Sequence, residues 1–143
     1  TGDKFCSSPN TSREGLIDGN IYVHGSVGSN SIQRMRRGII VIEKNIGDNC
    51  CSNLISGTII VKGKIGDNFL ENSKRGTIFG SDKKVVKGYR KANDANYNFI
   101  PFMGKLLELI YDRKVLKGSS FLRYQGFLAN STNLTEIFLT RKN

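Results

Sequence analysis

GNIYVHGSVGSN from Gly19, GIIVIEKNIGDN from Gly38 and GTIIVKGKIGDN from Gly57 are three copies of one pattern, and GTIFGS from Gly76 opens a fourth. Gly19, Gly38, Gly57 and Gly76 stand 19 residues apart without drift, and Gly28, Gly47 and Gly66 keep the same period. Gly25 and Gly63 also match, with Lys44 in the middle copy. Nine of the sixteen glycines are therefore placed by one repeat. Each copy holds a short β-branched run with Gly on either side, which reads as a strand between tight turns and not as a helix. A unit this short cannot bury its own apolar side chains. Stacked units can, which means a solenoid. Strands in the same register in every coil pair in parallel, about 4.8 Å apart.

The columns can then be read vertically. Ile21, Ile40, Ile59 and Ile78 stack, as do Val23, Ile42 and Val61. Val27, Ile46 and Ile65 form a second apolar column, Leu16, Met35 and Leu54 a third, and Ile32, Cys51 and Leu70 a fourth. These are the expected interior, so Cys51 reads as a small buried hydrophobe. Cys50 aligns with Ser31 and Phe69 and is not assigned a side. Asn30, Asn49 and Asn68 align two residues after a repeat Gly. Stacked Asn side chains hydrogen-bond along a β stack, so a structural ladder is expected there. Between the inward positions lies an outward column, Tyr22, Val41, Ile60 and Phe79. Four stacked apolar side chains need a cover, either the chain's own C-terminal helix or another subunit. They are the interface candidates.

Beyond Gly80 the repeat stops. Residues 82–98 are polar and basic, carrying Lys83, Lys84, Lys87, Arg90 and Lys91, and read as a loop or irregular crossing. From Pro101, FMGKLLELIYDRKVL suits a helix of about three turns on the apolar positions Phe102, Leu106, Leu109, Ile110 and Leu116, ended by Gly118, that caps or flanks the solenoid. The tail offers strands near 121–124 and 136–140. The chain is thus read as all-β: a parallel β-helix of 19-residue coils over 1–81, then an extension over 82–143 with one helix and short tail strands.

Composition narrows the function. The chain has 143 residues and a formal net charge of +10, from 22 Lys plus Arg against 12 Asp plus Glu. Residues 1–74 carry a net of +2 and residues 75–143 a net of +8, so the basic character belongs mostly to the extension. Arg36 with Arg37, and Lys74 with Arg75, add bases at the same corner of two coils. Such an excess suggests an acidic partner. Nucleic acid is disfavoured, because no stacking aromatics are interleaved with the bases. There is no run of 18 apolar residues, so no membrane span is expected. Three Cys and one His are too few for a disulfide framework or a closed zinc site. Thr1 is not followed by a charged-then-apolar leader, and a cytoplasmic chain with reduced thiols, truncated at its N-terminus, is expected. No nucleophile–base pair, carboxylate dyad or metal set stands out, so catalytic and metal-binding residues are expected to be absent. A hexapeptide-repeat acyltransferase is disfavoured, since 19 is not a multiple of six and His24 aligns with Glu43 and Lys62 on an outer face.

The glycine pattern, with its M-x-x-G and K-R-G-T-I steps over residues 15–80, resembles the GXGXG domain family. Within it, the likeness is to the GXGXG-bearing subunit of formylmethanofuran dehydrogenase and of the bacterial formyltransferase/hydrolase complex. FIPFMGKLLELI, FLRYQGFLAN and TEIFL resemble the helix and closing segments of that subunit. Ser73 stands where the likeness expects Met, and Phe127 where it expects Asp. The resemblance implies a right-handed parallel β-helix, and a non-catalytic scaffold role in a multi-subunit cytoplasmic complex of one-carbon metabolism. It also implies that the other subunits are the partners. A methanofuran or methylofuran carrier belongs to the complex, and no cofactor is bound by this chain itself. Lys83, Lys84, Lys87, Arg90 and Lys91 are the candidates for holding the acidic chain of such a carrier electrostatically. The alternative within the same family is the GXGXG spacer of a glutamate synthase, which is not expected to share the tail.

Overall fold

The computed structural model describes residues 5–6, 15–81, 86–92, 99–116, 121–126 and 133–140. Strands β1 (Asn20–Val23), β2 (Ile39–Ile42), β3 (Thr58–Val61) and β4 (Thr77–Gly80) are each four residues long. They pair in parallel with the register Asn20–Ile39–Thr58–Thr77, a step of 19 residues each time. The fold is a parallel β-solenoid of about three coils. Val27, Ile46 and Ile65 bridge in parallel on a second face of each coil. The three strands and the helix that follow are built around this stack.

The interior holds the columns read from the sequence. Ile40, Ile42, Ile59 and Ile78 are fully buried, with Met35, Leu54, Ile46 and Ile65 beside them. Full burial of each aliphatic side chain is worth about 1.5–3 kcal/mol, which is how so short a unit offsets its ordering once stacked. Cys50 and Cys51 are both fully buried, so Cys50, left without a side by the sequence, belongs to the core. Its thiol donates to the Gly28 carbonyl at 3.2 Å, one coil away.

The third corner of each coil carries a feature the sequence did not disclose. Asn30, Ile32 and Arg34 all have φ of 57°. Asn49, Cys51 and Asn53 have φ of 54–58°, and Asn68, Leu70 and Asn72 have φ of 53–61°. Alternate residues thus take the left-handed conformation three times per coil. That conformation is natural for Asn and costly for a β-branched residue such as Ile32. Ladder bonds offset the cost. The amides of Asn30, Asn49, Cys51 and Asn53 each donate to a carbonyl of the adjacent coil at 2.8–2.9 Å.

The far end of the stack is closed by strands and not by the helix. Strand β7 (Glu136–Thr140) pairs in parallel with β4, Thr77 opposite Glu136 and Gly80 opposite Leu139. Strand β6 (Phe121–Gly126) pairs antiparallel with β7, and β5 (Tyr89–Lys91) antiparallel with β6. The whole is one seven-stranded sheet in the order β1-β2-β3-β4-β7-β6-β5. Strand β5 lies inside the stretch read as a loop, where only Tyr89 of its three residues is buried. Helix α1 (Phe99–Tyr111) begins two residues before Pro101, which a first turn accepts because its amides have no partner there anyway. It stops well before Gly118, because Asp112 takes φ of 53° and ends the helix in the manner of a left-handed cap.

Candidate assembly faces

The outward column of the coils lies under α1. Val41, Ile60 and Phe79 are buried in a second core with Ile100 and Leu107 of the helix, Val115 after it, and Phe121 and Phe138 of the closing strands. Tyr22, at the edge of this core, is only half-buried. Phe79 stacks on Phe138 with ring centroids 5.3 Å apart and meets Phe121 edge-on at 5.8 Å. The Tyr111 hydroxyl pins the end of the helix by donating to the Ile39 carbonyl at 3.1 Å, and burial pushes its pKa up. Of the two covers expected for Tyr22, Val41, Ile60 and Phe79, the chain's own helix is the one observed. Val41, Ile60 and Phe79 are closed off beneath it, while Tyr22 keeps part of its surface exposed at the edge. Beside them, a cleft of about 240 Å³ opens between Ile60, Phe79, Leu116 and Phe121, with Lys62 and Ser81 at its polar side.

The helix has a second apolar face. Phe99, Phe102, Leu106, Leu109 and Ile110 are exposed, Phe102 at 71% and Leu109 at 83%. A helix with one buried stripe and a polar back is the norm for a domain surface; α1 keeps a polar arc at Lys105 and Glu108 but adds a second apolar stripe, which is normally covered. The spacing 99, 102, 106, 109 is the three-four alternation by which one helix packs against another. The sequence contains this second stripe in the same letters as the first. Of the apolar positions singled out in the sequence, Phe102, Leu106, Leu109 and Ile110 fall on this exposed stripe, while Ile100 and Leu107 face the coils. Nothing in the letters says which stripe turns inward.

Just past the end of α1 a polar cluster meets the first two coils. The Tyr22 hydroxyl donates to Glu43 Oε1 at 3.0 Å, His24 Nδ1 lies 3.3 Å from Glu43 Oε2, and the Arg113 guanidinium covers the Tyr22 ring at 4.7 Å. The Tyr22 hydrogen bond, then the bond and charge of His24, hold the Glu43 carboxyl below its ordinary range. His24 is on the outer face with its side chain 67% exposed. This exposed, mutually paired arrangement ties the helix end to the coils and presents no activated nucleophile. Among the described residues no group of three or more His, Cys, Asp or Glu could hold a metal ion.

The repeat glycines explain the closeness of the coils. A Cβ on Gly66 would meet the Gly47 carbonyl oxygen at 2.4 Å and its carbon at 2.5 Å, so only Gly lets these two backbones stack. Gly28, Gly47 and Gly66 form this column, and Gly19, Gly38, Gly57 and Gly76, all at positive φ, form the corner before each strand. The family model for the GXGXG motif matches residues 6–97. The chain belongs to the GXGXG family.

A solved structure extends the likeness past the coils of this GXGXG chain. The formyltransferase/hydrolase complex (FhcABCD) from Methylorubrum extorquens, in complex with methylofuran, contains a chain that matches with a TM-score of 0.83 at 25% sequence identity. The match covers 99% of this chain and 53% of that one, so this chain spans about half the length of its structural neighbour. No curated protein matches the sequence.

The bases singled out in the sequence fall in two places on the GXGXG chain. Lys83 and Lys84 lie outside the described residues. Lys87 is exposed in the turn before β5, and Arg90 and Lys91 are exposed on β5 itself, the last strand of the sheet. The structure does not bring these together with the other basic group. Arg36, Arg37, Lys74 and Arg75 line a separate cleft of about 480 Å³, floored by Ile55 and Ser56 of the coil between them. No helix among the described residues is long and apolar enough to cross a membrane.

Proposed function

We propose that this chain is the non-catalytic, GXGXG-bearing scaffold of a cytoplasmic formyl-transferring complex of one-carbon metabolism. The observation that carries the reading is the likeness over 99% of the chain, tail included, to a chain of the formyltransferase/hydrolase complex. A glutamate synthase spacer shares the coils but gives no reason for the helix and closing strands to match as well. The exposed apolar face of α1 supports assembly: Phe102 and Leu109 are costly to leave in water and fit a helix of a neighbouring subunit. The rigid ladder of coils supports a positioning role, since it offers a fixed geometry on which neighbouring subunits can be held. In this reading the chemistry, and the methanofuran or methylofuran carrier, belong to the partner subunits. Arg90 and Lys91 on the outermost strand, with Lys87 in the turn before it, supply a basic margin for an acidic carrier chain, and Lys83 and Lys84 precede them in the sequence.

Co-expression with the formyltransferase and amidohydrolase-like subunits of such a complex tests this. A stable assembly is expected to co-purify, and Leu109→Glu with Phe102→Glu is expected to release this chain from it while leaving its own melting temperature unchanged. A chain that stays alone beside those subunits, or an assembly indifferent to both substitutions, overturns the reading.

A further inference from the structure

The bases at the corner before the repeat glycines line a cleft on the side of the coils. Arg36 and Arg37 stand on one lip, Lys74 and Arg75 on the other, and Ile55 and Ser56 floor the gap from the intervening coil. All four basic side chains are exposed, while the backbone beneath them is held by the ladder. The amides of Arg36 and Arg37 donate to the Leu16 carbonyl at 2.8 and 3.3 Å, those of Ile55 and Ser56 to the Met35 carbonyl at 2.9 and 3.2 Å, and that of Lys74 to the Leu54 carbonyl at 2.8 Å. Four positive charges are thus mounted on a fixed frame, and no described carboxylate lines the cleft. Glu136 lies in the adjoining recess, but Arg123 pairs with it at 3.0 Å.

The spacing selects the ligand. The two lips are two coils apart, and coils stack at about 4.8 Å, so the basic pairs sit roughly 9.6 Å from each other along the stack. An extended polyproline II chain turns once every three residues and rises about 3.1 Å per residue. Acidic side chains three residues apart on such a chain lie on one side, about 9.3 Å apart. Each then meets one lip, where an Arg guanidinium takes a carboxylate in two parallel hydrogen bonds. The half-buried Ile55 between them gives the peptide backbone an apolar floor. A single-stranded nucleic acid fits less well, because no aromatic side chain lines the cleft for a base to stack on. We propose that this cleft binds an extended acidic polypeptide segment, reading carboxylates at every third residue, and so docks an acidic tail or loop of a partner protein.

Fluorescence anisotropy with two labelled peptides of equal charge tests this on the 143-residue chain, without any other subunit. In (Glu-Pro-Pro)4 the carboxylates line one side; in (Glu-Pro)4 they are spread around the axis. The first is expected to bind at least about fivefold more tightly than the second at low salt, with affinity falling as salt rises. Neutralising the cleft as Arg36→Gln, Arg37→Gln, Lys74→Gln and Arg75→Gln is expected to remove that preference, while Arg90→Gln with Lys91→Gln retains it. Should the fourfold variant melt early, the one-lip variant Arg36→Gln with Arg37→Gln is read in the same assay. Equal affinity for the two peptides, an unchanged preference in the cleft variants, or tighter binding of an oligothymidylate of the same charge overturns the proposal. Because no partner subunit is used, failure here leaves the assembly reading intact.

Discussion

Asn68 Nδ2 donates to Asn49 Oδ1 at 3.0 Å, one coil above the other, and both residues hold a left-handed backbone. The pair does two jobs: the side chains link the coils, and the residue type makes the conformation cheap. Asn49→Ala loses both and is expected to cost about 2 kcal/mol, while Asn49→Gly loses the side-chain link but keeps the backbone freedom and is expected to cost about half of that. Urea denaturation of the two variants separates the effects. An Ala variant as stable as the Gly variant would mean that the backbone conformation carries no strain.

The glycine columns make a sharper contrast. Gly63 and Gly25 occupy the same place in their coils, yet a Cβ on Gly63 would meet the Lys44 carbonyl carbon and oxygen at 2.5 Å, while one on Gly25 meets nothing within 4 Å. Gly63→Ala is therefore expected to destabilise by more than about 2 kcal/mol, and Gly25→Ala to stay within about 0.5 kcal/mol of the parent. Thermal melts of the two variants decide it. Equal losses would mean that the coils yield to an added methyl group as easily inside the stack as at its edge.

Leu107 and Leu109 are two residues apart on α1 and face opposite environments. Leu107 is fully buried against the coils and Leu109 is 83% exposed. Leu107→Ala is expected to cost about 2–5 kcal/mol through the cavity it leaves. Leu109→Ala is expected to leave the isolated chain's stability within about 0.5 kcal/mol of the parent. Calorimetry on both variants would show the helix to be wrongly seated if the order were reversed.

Burial, and then the neighbouring Cys50, push the Cys51 thiol far above its ordinary pKa. The folded chain therefore keeps this proton to higher pH than the unfolded chain does. The stability linked to it is complete below the unfolded thiol's pKa, about 8.5, and is lost as pH rises beyond that value. Thiol labelling at pH 8 is expected to modify Cys6, which is only partly buried, while Cys50 and Cys51 react only on unfolding. Fast labelling of all three in the native chain would contradict the packed core.

Much of this architecture was legible because one period governs local and global structure together. A 19-residue step that places Ile40, Ile59 and Ile78 in a column also sets the strand register, so the letters and the hydrogen bonds agree. The closing strand was harder to place. After β4 the next rung comes from Ile137 and Phe138, 59 residues on from Ile78 and Phe79, and nothing periodic signals that jump. Ser73 shows the same limit. It departs from the apolar column because at the end of the stack it faces no further coil; its hydroxyl joins Tyr89 at 2.7 Å and Thr135 at 3.3 Å instead. The cover of Val41, Ile60 and Phe79 depended on which of two apolar stripes α1 turned inward, a tertiary choice that spacing does not encode. The basic cleft was visible only as two separate pairs of letters, because residues tens of positions apart become neighbours only through stacking.

The parallel partnership of β4 with β7 sets a schedule for synthesis. Coils built from neighbouring sequence can assemble as they leave the ribosome, at about 5–20 residues per second. The rung that seals β4 is made of residues 136–140, and the apolar column along the side waits for residues 99–111. For the several seconds between, the nascent chain shows a bare parallel edge and an uncovered row of Val41, Ile60 and Phe79, both of which invite pairing with another chain. Ribosomal pausing after residue 81, or a frameshift there, would leave a product that is most of a solenoid and a template for aggregation.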